Sequence, residues 1–226
     1  MKVILFGATG MVGQGVLREC LRAPDVERVL VVGRSTTGTT HEKLREVAHK
    51  DFTDFSAIEA DLAGYDACFF CLGVSSAGMN EADYTRVTYD YAMAAARALL
   101  RVSPELTFVY VSGAGTDETE KTRSMWARVK GRTENAIRAL GFRRAIMFRP
   151  GYIQPMHGIV SKTRLYRVFY ALLAPLYPLV RRLAPSLATN TESVGLAMLE
   201  VTRGASSDPI VENGAINALA TRALAR

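Results

Sequence analysis

An α/β doubly wound parallel sheet is the fold this sequence predicts, and three observations predict it. Short apolar runs alternate with helix-like stretches through about the first two thirds of the 226 residues. The runs are nearly continuous, as expected for strands buried on both faces of a parallel sheet. A glycine turn, GATGMVG at residues 7–13, joins the first run to the first helix pattern. Right-handed crossovers in such a sheet put ligand sites at the carboxyl ends of the strands.

The elements follow in order. KVILF (2–6) reads as the first strand and MVGQGVLRECLRA (11–23) as the helix after it. RVLVVGR (28–34) is a second apolar run, and LREVAHKDF (44–52) holds a weaker third. DACFFCLG (66–73) and LTFVYVSGAG (106–115) are the fourth and fifth strands, separated by a long Ala-rich helix, EADYTRVTYDYAMAAARALLRV (81–102). RSMWARVKGRTENAIRAL (123–140) is helical, Gly141 ends it, and RRAIMFRPG (143–151) reads as another strand. After Pro150 the pattern changes to Pro-broken helical stretches. The expectation is therefore one domain, 1–226, with a cofactor-binding core at 1–150 and a small helical, substrate-side cap at 151–226.

Composition narrows the function classes. An apolar fraction of 49% with 22% charged residues is that of an ordinary globular chain. Met1 leads straight into KVILF, a run too short for a signal peptide, so a cytoplasmic protein is expected. Five cations, Lys162, Arg164, Arg167, Arg181 and Arg182, lie between Ser161 and Pro185 without an Asp or Glu, out of a net charge of +6. The rest of the chain is nearly neutral, so no basic stripe for nucleic acid exists. The same segment carries Tyr166, Phe169, Tyr170 and Tyr177, which suit core packing or a pocket wall. Contact with a membrane surface through 161–185 is the lesser alternative.

Three Cys give no disulfide framework, and Cys68 and Cys71 stand on a strand, where residues three apart face opposite ways. His41, His49 and His157 have no ligand-like spacing, so no metal site is expected. Paired carboxylates and a Gly-x-Ser-x-Gly nucleophile turn are both absent, which argues against hydrolases.

The glycines read chemically. Gly7 suits the tight turn, Gly10 lets backbone approach a pyrophosphate, and Gly13 allows close packing of helix on strand. The helix N-terminus then offers free N–H groups to phosphate. At the end of the second strand, where an acid would accept from a free ribose 2′-OH, stand Arg34 and Ser35. A guanidinium suits a 2′-phosphate, so NADP(H) is expected in preference to NAD(H).

GxxGxxG, CLG after the fourth strand, VSGAG after the fifth and a Lys-bearing helix before FRPG together resemble the short-chain dehydrogenase/reductase superfamily. More narrowly, they resemble its atypical NAD(P)-dependent epimerase/dehydratase-like branch, related to the Tat-interacting tumour-suppressor oxidoreductase. The resemblance implies a Rossmann-type sheet and a set of roles. Gly7, Thr9, Gly10, Met11, Val12 and Gly13 would line the pyrophosphate. Arg34 would meet the adenosine phosphate, and Asp51 and Phe52 the adenine. Cys71, Leu72 and Gly73 would lie along the ribose, and Arg149, Pro150 and Gly151 would close the nicotinamide side. Ser112 would be the catalytic Ser and Lys130 the catalytic-helix Lys.

One residue departs from the pattern. The family's Tyr-xxx-Lys frame is Trp126-Ala-Arg-Val-Lys130 here, and an indole N–H donates without titrating near neutral pH. Trp126 and Ser112 could still polarise a carbonyl, with proton delivery left to Ser124, Lys130 through water, or Tyr152. Two functions follow: an oxidoreductase with an altered proton step acting on a small molecule, or an NADPH-sensing regulatory module without turnover.

Overall fold

β1 (Lys2–Phe6) shows how the sequence builds the molecule. Successive side chains of a strand point to opposite faces. Val3 and Leu5 accordingly enter one apolar layer, and Ile4 and Phe6 the other, all fully buried. This computed structural model describes residues 1–160 and 177–225. Around β1 the strands β2 (Arg28–Gly33), β3 (Leu44–Ala48), β4 (Ala67–Phe70), β5 (Thr107–Val111), β6 (Arg144–Arg149) and β9 (Ile210–Glu212) form a parallel sheet. Its order is β3-β2-β1-β4-β5-β6-β9. The order reverses direction between β1 and β4, and in sheets of this kind ligands bind at that switch point.

Helices cover both faces. On the Val3 side lie α1 (Met11–Arg22), α6 (Thr191–Thr202) and α7 (Asn213–Leu224), through Val16, Val194, Met198 and Ile216. On the Ile4 side lie α3 (Tyr91–Val102), α4 (Met125–Ala139) and a 3₁₀ turn at Ser56–Leu62. The two faces separate Cys68 from Cys71 as expected, and all three thiols are free. Burial raises the pKa of each thiol.

Two features differ from the sequence reading. The single long helix expected over 81–102 is α2 (Glu81–Thr85), a π turn (Arg86–Asp90) and α3 run together, with the Tyr91 N–H donating to the Arg86 carbonyl. Such single π turns inside helices are frequent at functional sites. The chain after Pro150 is also more than a cap. It supplies β9 beside β6 and two of the helices on the Val3 face, besides a short pair, β7 (Tyr152–Gln154) with β8 (Ala188–Asn190), and helix α5 (Tyr177–Leu183). The apolar side chains of α6 are there to close the core, with Val194, Ala197, Met198 and Val201 fully buried. Most of the basic aromatic stretch at 161–185 lies outside the described residues.

α4 is pressed against the loop that follows β5. The Asp117 carboxylate holds that loop by accepting from Thr119, Lys121 and Thr122, and those bonds lower its pKa to about 2, the Thr119 hydroxyl most of all. A Cβ at Gly131 would overlap the Asp117 carbonyl. Adding one methyl there forces backbone apart, and overpacking costs about 1–3 kcal/mol. Gly131→Ala is expected to lose stability of that order, read from the urea midpoint.

Candidate active site

The carboxyl ends of β1, β4, β5 and β6 open into one groove with two lobes. Gly10, Cys71, Leu72, Gly73 and Val74 line both, so the lobes are continuous. The lobe toward β2, of about 360 Å³, is bounded by Arg34 and Phe52. The lobe toward β5 and β6, of about 680 Å³, is bounded by Trp126, Lys130, Pro150 and Gly151.

The glycine turn forms the floor between them. Gly7 has φ 79°, a conformation natural to glycine, and a Cβ there would stand 2.6 Å from the Cys71–Leu72 peptide. Gly13 packs so tightly on Gly7 that a Cβ would overlap the Gly7 carbonyl, while Gly13 itself lies off the groove. α1 begins at Gly10 with no side-chain cap and no acid in its first turn. The opening N–H groups of a helix lack intrahelical acceptors, and here Met11 and Val12 line the groove. This is a floor that fits a pyrophosphate. Thr9 lines the β2 lobe beside it.

In that lobe Arg34 is exposed, and no described carboxylate pairs with it. Ser35 lies in the adjoining hollow with Thr9 and Phe52. Asp51 is turned away. It accepts from the Thr53 N–H (2.9 Å) and hydroxyl (2.5 Å), holding the turn that presents Phe52. The reading of 51–52 therefore survives as Phe52 alone at the groove wall. Three residues were not read from the sequence: Arg86, Val87 and Tyr91, which the π turn brings to this lobe. Tyr91 meets Phe52 with ring centres 5.7 Å apart. In sequence they are indistinguishable from the core-facing positions of an Ala-rich helix.

The other lobe is built on α4. Trp126 and Lys130 are four residues apart and so share a helix face. Both line the lobe. Trp126 lies over the loop after β5: a Cβ at Gly115 would stand 3.5 Å from its ring, and one at Gly113 3.9 Å. No described residue accepts from its indole N–H. The Lys130 ammonium donates to the carbonyls of Ser112 (2.6 Å) and Val111 (3.3 Å). Burial lowers its pKa to about 8, with the Glu134 carboxylate partly opposing. An ammonium has three protons, so one remains for a ligand.

Ser112 and Arg149 stand differently from their expected roles. The Ser112 hydroxyl donates to the Glu134 carboxylate and lies 3.1 Å from the Phe148 carbonyl, so it is committed inside the protein. The next position, Gly113, which approaches Trp126, has no side chain. Arg149 does not line the lobe. Its guanidinium is buried, donating to Glu134 at 2.5 Å and to Glu212 at 3.3 Å, with Glu118 at 3.6 Å. The reason is electrostatic: Glu134 is fully buried one turn beyond Lys130 and requires a cation. Those bonds raise the Arg149 pKa further. Pro150 and Gly151 do close the lobe, and the Gly151 N–H donates to Asn213 at 2.8 Å. Val74, Ser75, Val111, Ser112, Gly113, Ala114 and Ile153 also line it. Of the other proton donors considered, Tyr152 gives its hydroxyl proton to Gln154 at 2.6 Å, and neither it nor Ser124 lines the lobe.

Residues 7–154 match the model of the NAD(P)H-binding family. The chain belongs to that family. It is 30% identical over 155 residues to the mitochondrial protein FMP52-1 of Scheffersomyces stipitis, covering 68% of this chain and 67% of that one. It is 27% identical to HTATIP2 of Rattus norvegicus over 67% of this chain and 62% of that one. The chain thus spans about two thirds of the length of these relatives. Among solved structures, the oxidoreductase ylbE of Lactococcus lactis superimposes with a TM-score of 0.65 at 15% identity, over 100% of this chain and 98% of that one. The Bordetella bronchiseptica enzyme WbmF, solved with NAD+, gives 0.67 at 16% identity, over 98% and 77%. These two show likeness of fold.

The buried pair at the base of the site is testable by itself. Removing one partner of a buried ion pair costs about 3–5 kcal/mol, because the other charge is stranded. Glu134→Ala is expected to destabilise the chain by that amount in urea, well beyond the effect of Glu118→Ala, whose carboxylate is half-exposed.

Proposed function

We propose that the chain is an NADP(H)-dependent oxidoreductase acting on a small carbonyl or hydroxyl compound, with Trp126 at the usual Tyr position. The observation that carries this reading is the continuous groove, cationic at one lobe and holding Trp126 and Lys130 at the other. Arg34 and Arg86 both line the β2 lobe, and no carboxylate does. Two guanidiniums favour a 2′-phosphate, whereas a free 2′-OH is better met by an acid. The first turn of α1 would hold the pyrophosphate, and Lys130, Pro150 and Gly151 the nicotinamide side. The bound nucleotide supplies or accepts hydride.

The chain's own part is the proton and the polarisation of the substrate oxygen. The indole N–H of Trp126 donates to that oxygen. Lys130, with its pKa lowered to about 8, supplies the proton in reduction. Ser112 is a positioning residue, since its carbonyl fixes the Lys130 ammonium while its hydroxyl is anchored by Glu134. The substrate is a small molecule, and nucleic acid has no role.

A second reading is a cofactor-binding regulator without turnover. The engaged Ser112 hydroxyl and the bare Gly113 facing Trp126 favour it. Location follows neither reading. Among the described residues no helix is long and apolar enough to cross a membrane, and the fungal relatives are called mitochondrial.

Arg34→Asp is expected to reduce NADPH affinity at least tenfold and reverse the preference between the two nucleotides in a fluorescence titration; an unchanged preference would refute the NADP(H) assignment. Carbonyl reduction is expected to be constant below about pH 8 and to fall as pH rises through it, because Lys130 must carry its proton. Lys130→Met should remove that inflection and lower kcat about 100- to 10,000-fold, the usual contribution of a positioned acid. Trp126→Tyr should accelerate the reaction. A variant that binds NADPH and remains silent toward a panel of aldehydes and ketones would favour the regulator.

A further inference from the structure

A third cleft, of about 680 Å³, lies beside the groove, between α1 and the loop after β2. Its first wall is a single helix face, Gln14, Leu17, Arg18, Leu21 and Arg22, at the spacing that puts residues in line. From Gln14 to Arg22, nine residues of helix, this wall rises about 12 Å. Its second wall is the loop after β2, which turns Ser35, Thr36 and Thr39 toward it.

The loop is preformed. Glu46 accepts from the Thr37 N–H (2.8 Å), and the Thr39 N–H donates to the Thr37 hydroxyl (3.2 Å). Lys43 closes the far end by donating to the Ala23 carbonyl at 2.9 Å. His41 also lines the cleft; its Nδ1 accepts from the Lys43 N–H (3.1 Å), so a neutral ring carries its proton on Nε2 as a donor.

The chemistry of the lining selects the ligand. Arg18 is neutralised by Glu19 beside it, and Arg22 has no ion-pair partner among the described residues. No carboxylate lines the cleft, and Arg22 with the Ser35, Thr36 and Thr39 hydroxyls can donate into it. Leu17, Leu21 and Ile159 give it an apolar side. Near its mouth, Thr9 and Ser35 are shared with the hollow beside Arg34.

We infer that this cleft is a second ligand site, for an amphipathic organic anion: one acidic head, phosphate or carboxylate, at Arg22 and the loop hydroxyls, and a short alkyl chain along Leu17 and Leu21. The site stands on its own geometry and does not depend on the oxidoreductase reading. It adjoins the nucleotide groove at Thr9, which lines both, and at the hollow that holds Ala8 and Ser35.

The test is calorimetric titration of octyl phosphate, below its micelle concentration, into the full chain saturated with NADPH and, separately, into the chain alone. One saturable site is expected in both, weakened at least tenfold by Arg22→Glu and by Leu21→Asp and unchanged by Trp126→Ala. Arg22 is exposed at the end of its helix and Leu21 is only half-buried, and circular dichroism would verify that both variants fold. Non-saturable uptake, or binding indifferent to both variants, would overturn the inference. Loss of binding with Trp126→Ala would place the ligand in the nicotinamide lobe and overturn it equally. Inorganic phosphate competing as well as octyl phosphate would show a simple anion site and reject the amphipathic ligand. Failure of NADPH to bind in the same samples would count against the oxidoreductase reading and leave the titration of the chain alone as the measure of this site.

Discussion

A carboxylate shut away from water must find a cation and donors, or it destabilises the fold around it. Glu134 meets that demand with the Arg149 guanidinium and the Ser112 hydroxyl, drawn from the ends of β6 and β5. Three elements are thereby fixed against one another, and Glu212, at the end of β9, extends the link to a fourth. α4 cannot slide or rotate without breaking the pair, so Lys130, one turn before Glu134, is held at the strand ends. The same pair explains why a titrating Lys stands where it does. Its ammonium is desolvated, and the strand-end carbonyls accept from it.

The groove is electrically lopsided as a result. At its β5 side the Glu134–Arg149 pair is buried, and among the described residues Lys130 is the charged side chain that lines the lobe. At its β2 side Arg34 and Arg86 are exposed, and among the described residues one carboxylate, Asp83, pairs with Arg86 at 3.8 Å. Between them a helix start without cap or acid contributes its own positive end. The groove is therefore positive at both lobes and between them, which suits an anionic ligand.

Much of this was legible in the residues. That the glycine turn, Arg34, Trp126 and Lys130 lie at the groove could be read because their placement is local: a turn, a strand end, one helix face. Ser112 and Arg149 were assigned to the ligand by their position in a motif, yet they answer to Glu134, a residue with no signal of its own in the chain. Asp51 and Phe52 were read as neighbours with one task, although a two-residue turn divides them between holding the loop and lining the groove. Arg86, Val87 and Tyr91 were hidden inside a helix pattern, because a π turn leaves the apolar periodicity almost intact while changing which residues face the groove.

The sequence by itself determined the parallel sheet, its crossovers and the place of the glycine turn, since these depend on periodicity and on backbone freedom within a few residues. Only the tertiary structure decided that the chain after Pro150 completes the sheet. β9 is three residues long and gains its meaning from pairing with β6. Tertiary structure also decided which polar side chains are free to act. A hydroxyl or guanidinium serves the ligand only when no buried charge claims it first, and that competition is settled by residues far apart in the chain and adjacent in space.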